Sequence, residues 1–384
     1  MNIPAEFDEI RPYTPEELPQ VYEELIADPM FQSVVKYLYP QVPFEMLAAK
    51  MRQCKTNLDF QLAFGYTMGQ DIVKKHCDGL TGDFSAMVDK KKSYTYVSNH
   101  RDIVLDSMFL SCLLVDNGMN TVEIAIGDNL LVFPWIKKLV RINKSFIVQR
   151  ALTMRQMLES SKRMSRYIHF AINEKHENVW IAQREGRAKD SNDRTQDSVL
   201  KMLAMGGSGN LVESLKELNI VPLAISYEYD PCDYLKAKEF QMKRDDPEFK
   251  KSQQDDLLNM QTGIFGYKGH VHYQMAPVLN DFLDGLDLSA PKTELFTAIS
   301  DKIDLGIHAN YKLYPGNYVA YDWWKQEQRF NGIRYTEADK QKFEAYIQGQ
   351  LAKIDLPNKD EAFLLDKMLA MYANPVVNHL KAVE

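Results

Sequence analysis

Tyr94-Thr95-Tyr96-Val97-Ser98-Asn99-His100-Arg101-Asp102-Ile103-Val104-Leu105-Asp106 passes from one kind of chain to another. Tyr94 to Val97 is aromatic and β-branched, the composition of a strand. The apolar segment from Asp106 to Val115 follows at once, so the junction reads as strand to helix. A histidine stands at the junction, with Asn99, Asp102 and Asp106 crowded around it. A carboxylate bonded to one ring nitrogen fixes the tautomer and leaves the other nitrogen free to accept a proton. Loops beyond the C-terminal ends of parallel strands are also where α/β proteins place their sites. The stretch therefore predicts a fold and an enzyme together.

Outward from this junction the alternation continues. Strands are predicted at Tyr94–Ser98, Thr121–Ile126, Ser145–Val148, Val179–Ala182, Ile220–Tyr227 and His270–Met275. Helical patterns lie between most of them, notably Ala151 to Ala171 and Asn210 to Leu218. This predicts an α/β fold, a largely parallel or mixed sheet flanked by helices, with N-terminal and C-terminal helical extensions. Lys236 to Gln261 is polar and charged and reads as a surface insertion. Before the sheet, Thr14-Pro15-Glu16-Glu17 offers a threonine N-cap, proline at N1 and glutamate at N3, although Pro19 disturbs a regular first turn. Asp28-Pro29 closes that helix, another runs from Phe44 to Cys54, and a long one from Leu58 to Cys77 has Gly79 as its C-cap. Past Pro291 the chain is helical again, with helices from Thr336 to about Ile354 and from Lys359. The expected division is an N-terminal helical domain at 1–85, an α/β domain at 86–285 and a C-terminal helical extension at 286–384.

The 384 residues suffice for a large core, and 45% hydrophobic with 26% charged residues fits a soluble globular chain. The N-terminus is acidic and lacks the apolar core of a signal peptide, and no apolar run approaches the roughly 18 residues of a spanning helix. Cys54, Cys77, Cys112 and Cys232 are scattered, with no CxxC pair. These features predict a cytoplasmic chain with reduced thiols and no zinc site, so that any contact with the inner face of the cell membrane is peripheral. The net charge is −7, yet Leu131 to Lys189 carries 13 Lys/Arg against 4 Asp/Glu, a local +9 that leaves −16 elsewhere. Such a segment points to an anionic ligand or surface and not to general nucleic-acid binding; a solvated helix face is the plainer alternative.

Two further junctions carry cations. Lys144-Ser145-Phe146-Ile147-Val148-Gln149-Arg150 is a strand that ends in arginine as a helix begins. Trp180-Ile181-Ala182-Gln183-Arg184-Glu185-Gly186-Arg187-Ala188-Lys189 is a strand that ends in a Glu-Gly-Arg turn. Arginine's planar fork matches phosphate oxygens bidentately, and a glycine lets backbone N–H groups approach an anion; alternatively each is a surface arginine after a strand. Ile220 to Glu228 is a buried strand that carries Pro222.

In this order the four stretches resemble the glycerophospholipid acyltransferase superfamily, specifically the glycerol-3-phosphate and 1-acylglycerol-3-phosphate acyltransferases. That family's blocks run His-x4-Asp, Gly-x-x-Phe-Ile-x-Arg, Glu-Gly-(Gly/Thr)-Arg and Val-Pro-(Val/Ile). Gly266 to Pro277 is similar to the strand that closes the family's domain, so the resemblance spans about residues 90–280. The chain departs in three places. Five residues separate His100 from Asp106, so either Asp106 or Asp102 takes the aspartate's role; Asp106, which precedes a helix's apolar face as the family's aspartate does, is favoured. Lys144 and Ile147 stand at the glycine and phenylalanine of the second block, and the Glu-Gly-Arg block is one residue short.

The resemblance implies an O-acyltransferase of membrane lipid synthesis. It would move a fatty acyl group from an acyl-CoA or acyl-carrier-protein thioester to the hydroxyl of glycerol 3-phosphate or a lysophosphatidate-like acceptor. It implies His100 as general base oriented by Asp106 (alternatively Asp102). Arg150, Glu185, Gly186 and Arg187, supported by Lys144 and Lys189, would grip the acceptor's anionic head. No metal or redox cofactor is implied, and an acidic carrier protein would suit the basic segment. An acylated amino-acid lipid is a second acceptor. From other classes come a metallophosphoesterase, with Gly127-Asp128-Asn129 as the nearest further ligand source, and a non-catalytic anion- or lipid-binding module, which has no use for a base. Phe133 to Arg141 mixes apolar bulk, a tryptophan and cations, as fits either an interfacial segment or a buried helix with basic ends. The aromatic stretch Tyr311 to Trp324 reads as core before acyl site.

Overall fold

Helices cover both faces of the central sheet, which is why its strands read as nearly unbroken apolar runs. The computed structural model describes residues 3–87, 89–150 and 153–384. Its strands are β1 (Gly79–Asp83), β2 (Thr95–Ser98), β3 (Val122–Gly127), β4 (Ser145–Val148), β5 (Asn178–Ala182), β6 (Ile220–Tyr227) and β7 (His270–Met275). They lie in the order β1-β7-β6-β2-β5-β3-β4, and each neighbouring pair is parallel except β6 with β7. Side chains alternate between two cores. Val97, Val179, Ile181 and Ile220 face the Met154–Asn173 and Lys292–His308 helices, while Tyr96, Trp180, Val221 and Ile225 face the Leu105–Asp116 helix.

Six of these strands match expectation within a residue or so, and β1 is the addition. Gly79 opens this strand instead of capping a helix. Its Gly-Leu-Thr-Gly-Asp sequence has little strand preference; pairing with β7, from 270 onward, recruits it to the edge.

Other corrections have separate causes. The 236–261 stretch, expected as a surface insertion, belongs to two helices, Asp233–Asp245 and Gln253–Phe265. Its Lys236 is buried against Asp230, and Glu239 pairs with Lys189 and Lys243. At the N-terminus the first α-helix is Leu18–Ile26, not one begun at Thr14: starting there keeps Pro19 within the first turn, where no N–H is missed. Asp28 then both ends that helix and caps the unexpected Pro29–Leu38 helix, accepting from Met30 N and Phe31 N. The Leu58 to Cys77 pattern is an Asn57–Phe60 turn, a π-helical stretch at Gln61–Tyr66 and a Thr67–His76 helix. The expected helix start at Ala151 lies outside the described residues; the helix is described from Met154.

The chain ends add helical layers of their own. Pro315–Lys325, Glu337–Ala352 and Glu361–Val383 share a third core, which absorbs most of the 311–324 aromatics. The N-terminal helices form a fourth with Ile142, Trp135 and Leu139. Among the described residues no helix is long and apolar enough to cross a membrane.

Candidate active site

The sheet order sets β2, β5, β3 and β4 side by side, so the loops after their C-terminal ends meet. β2 leaves the sheet through Asn99. Its buried side chain donates to Ile225 O and accepts from Ile225 N, both at 2.8 Å, which replaces a ladder rung and frees the next residue from the sheet. That residue is His100. Nδ1 lies 2.8 Å from Asp106 Oδ2, and an ionised carboxylate only accepts, so Nδ1 carries the proton. The edge of the Trp180 indole backs the imidazole at 5.6 Å between centroids. Nε2 has no hydrogen-bond partner among the described residues, and His100 lines a cavity of about 1140 Å³.

Asp106 sits in the first turn of the Leu105–Asp116 helix. Its Oδ2 also accepts from Arg101 N and Asp102 N at 2.7 and 3.2 Å. Asp102 turns the other way and accepts from Val104 N and Leu105 N, both at 2.8 Å, as a cap for the same helix. The extra residue between His100 and Asp106 is thus taken up in a capped loop. Burial, with the Asp106 charge second, raises the Asp102 carboxyl above its usual range.

Arg150, Glu185, Gly186, Arg187 and Lys189 all line the same cavity as His100. Arg150 Nη1 lies 3.5 Å from Glu185 Oε1, and its backbone N–H donates to Asp128. Arg187 Nη2 donates to Asn259 Oδ1 at 3.3 Å. Gly186 has φ +67°, with open space where a side chain would be. Lys189 is paired with Glu239, and burial lowers its pKa.

Lys144 does not join them. It precedes β4, and its Nζ reaches Glu177 Oε2 at 2.6 Å and Thr121 Oγ1 at 3.2 Å, which precede β5 and β3. A four-residue strand spans about 13 Å, so Lys144 lies at the opposite end of the strand from Arg150. The wider basic segment is likewise mostly engaged. Lys138, Arg163 and Arg166 pair with Glu24, Glu9 and Glu6, and Arg141 donates to the Asp8 and Arg11 carbonyls. Part of the surplus from 131 to 189 therefore braces the acidic N-terminal segment against the sheet domain.

Much of the rest of the cavity is apolar. Leu38 and Leu62 from the N-terminal helices, Met108 behind the His100 loop, and Ile136 and Leu139 of the Pro134–Ile142 helix line it. The 133–141 segment thus turns much of its apolar surface to this cavity, with Trp135 against Phe31. Three contributors were missed at the sequence level. The Gln253–Phe265 helix forms a wall through Met260 and Ile264, and an added Cβ on its Gly263 would come within 2.0 Å of Asp102 Oδ2. Its signal was present as a Ser252/Asp255 capping box. In the sequence Trp180 and Arg184 read only as parts of a strand end. Asp128 holds Arg150 and not His100. Among the described residues, the His/Cys/Asp/Glu group close enough to share a cation is Asp78, Glu228 and His270, which includes neither His100 nor Asp128.

Comparison with known proteins agrees with the sheet domain. Residues 83–226 match the acyltransferase family model. No curated protein matches the chain. Among solved structures, the 1-acyl-sn-glycerophosphate (LPA) acyltransferase PlsC from Thermotoga maritima is similar at 11% identity and a TM-score of 0.39, over 74% of this chain and 91% of that one. The matched segment begins in β1, ends in β6 and encloses every junction described above, and it ties this part of the chain to an acyl-transfer type of reaction.

Proposed function

We propose that this protein transfers a fatty acyl group from a thioester, acyl-CoA or acyl-carrier protein, to the hydroxyl of glycerol 3-phosphate or a lysophosphatidate-like acceptor. The observation that carries the reading is the oriented His100, whose free Nε2 belongs to one cavity with an apolar body and a cationic end. In this reading Nε2 takes the acceptor's hydroxyl proton as the oxygen attacks the thioester carbonyl. The new C–O bond forms, the C–S bond breaks, and the imidazolium returns its proton to the departing thiolate. Asp106 keeps the ring in the productive tautomer and stabilises the imidazolium. General-base catalysis supplies roughly 10²–10⁴-fold, so holding the two substrates together supplies much of the rest. Arg187 and Arg150, with Glu185 and the open Gly186 turn, receive the acceptor's anion, and the apolar body receives acyl chain.

The reading includes peripheral contact with a membrane. Met30, Tyr37 and Met157 are exposed and also line the cavity, so a lipid chain entering there passes apolar side chains. Met154 and Leu158 extend that surface around Arg155.

The test is His100→Ala. With labelled acyl thioester and a panel of hydroxylated anionic acceptors, product formation should fall by roughly 10²–10⁴-fold while the far-UV spectrum and acceptor binding persist. A variant that acylates at the wild-type rate would remove His100 from the chemistry. A wild-type protein that acylates only amino-acid lipids would move the acceptor class and leave the base in place.

A further inference from the structure

Five Lys and Arg side chains line the cavity, and they are not equivalent. Arg150, Lys189 and Lys251 are each held by an acid of the chain, Glu185, Glu239 and Asp256. Arg184 and Arg187 have no carboxylate within ion-pair distance among the described residues. Each also keeps one guanidinium nitrogen shielded from solvent without an acceptor, Nε of Arg184 and Nη1 of Arg187. A shielded, charged donor left unpaired is unfavourable, and burying it is tolerated where an acceptor arrives from outside. Two residues separate these two arginines across a bend whose Gly186, at φ +67°, has open space above it.

We infer that Arg184 is a second anion-binding arginine of the site, and that with Arg187 it grips a phosphate-type oxyanion of a substrate. The inference rests on the acyl-transfer reading only for the word substrate; the two shielded nitrogens without an acceptor stand without it. Arg150 is the weaker member of the grip, because Glu185 already occupies it. The oxyanion has two possible sources, the acceptor's head group and the phosphate of the thioester carrier.

Inorganic phosphate is the first probe, on the full chain. Phosphate should raise the melting temperature of the wild type, and Arg184→Gln should weaken its apparent Kd about tenfold. Arg155→Gln, an exposed cation of the same segment outside the cavity, should leave that Kd unchanged. In steady-state kinetics Arg184→Gln should raise one KM about tenfold and change kcat less than about twofold. A raised acceptor KM assigns the head group, and a raised thioester KM assigns the carrier phosphate. If Arg184→Gln does not fold, Arg184→Lys is read the same way with a smaller shift, since lysine lacks the planar fork. A phosphate Kd and both KM values at wild-type levels would overturn the inference. A wild type without acyl-transfer activity, whose phosphate affinity still depends on Arg184, would refute the proposed reaction and leave the anion site standing.

Discussion

Asp106 Oδ2 accepts from His100 Nδ1 and from two successive backbone N–H groups, whereas Asp102 caps the helix that follows. The two acids therefore respond differently to loss of charge. Asp106→Asn keeps the volume but removes the charge that fixes the tautomer and balances the imidazolium. It should lower kcat by roughly 10²–10⁴-fold with little change in KM. Asp102→Asn keeps an oxygen for Val104 N and Leu105 N. It removes a charge that burial and Asp106 already disfavour, so kcat/KM should stay within about threefold of wild type. A reversed order of the two effects in kcat/KM would exchange the assignments. From sequence both acids were candidates; the choice depends on which way each side chain leaves a seven-residue turn.

At the scale of elements, the first turn of the Met154–Asn173 helix sets Met154, Met157 and Leu158 on one face by their i, i+3 and i+4 spacing. They are 88%, 47% and 46% exposed, and Arg155, next to Met154, is exposed as well. In the proposed membrane contact such a face would lie on an anionic bilayer with its apolar side chains in the interface. Replacing all three by serine should lower co-flotation with vesicles containing anionic lipid about tenfold or more, because each large apolar side chain buried is worth roughly 1.5–3 kcal/mol. Flotation equal to wild type would take this helix out of the docking surface. The 133–141 segment, which combined the same residue types in sequence, spends much of its apolar area on the cavity. Composition was legible there, but the direction of the helix face was not.

For the whole molecule, two buried titratable groups couple the C-terminal helices to the sheet domain. Asp233 is enclosed by Tyr346, Tyr372 and Gln350, and burial, with Asp230 second, pushes its carboxyl up to about 7. The unfolded carboxyl titrates near 3.8, so between about 4 and 7 only the folded protein holds this proton. Stability from this group is full below the unfolded value and declines as pH rises towards 7. His308, its side chain on Asp193 O, is pushed down to about 4 by burial and works in the opposite sense: stability declines as pH falls from 6.5 towards 4. Asp233→Asn should therefore gain melting temperature relative to wild type at pH 8 compared with pH 5. A constant difference between the two pH values would show that Asp233 titrates normally in the fold.

Local sequence determined the elements. β-branched and aromatic runs of four to eight residues, capping residues such as Thr336 and Asn210, and the apolar segment after Asp106 specify strands and helices from short-range preference and period alone. The junctions at His100, Arg150 and 185–187 were legible for the same reason, since a strand that ends in a charged residue before a helix declares a loop. Tertiary structure decided what those preferences leave open. It recruited β1 through β7, left Lys144 at the end of β4 away from the site, and folded 253–265 into a wall of the cavity. Each of these is a contact between residues far apart in the chain. Such contacts are set by burial and by the pairing of polar groups, which no local window of sequence contains.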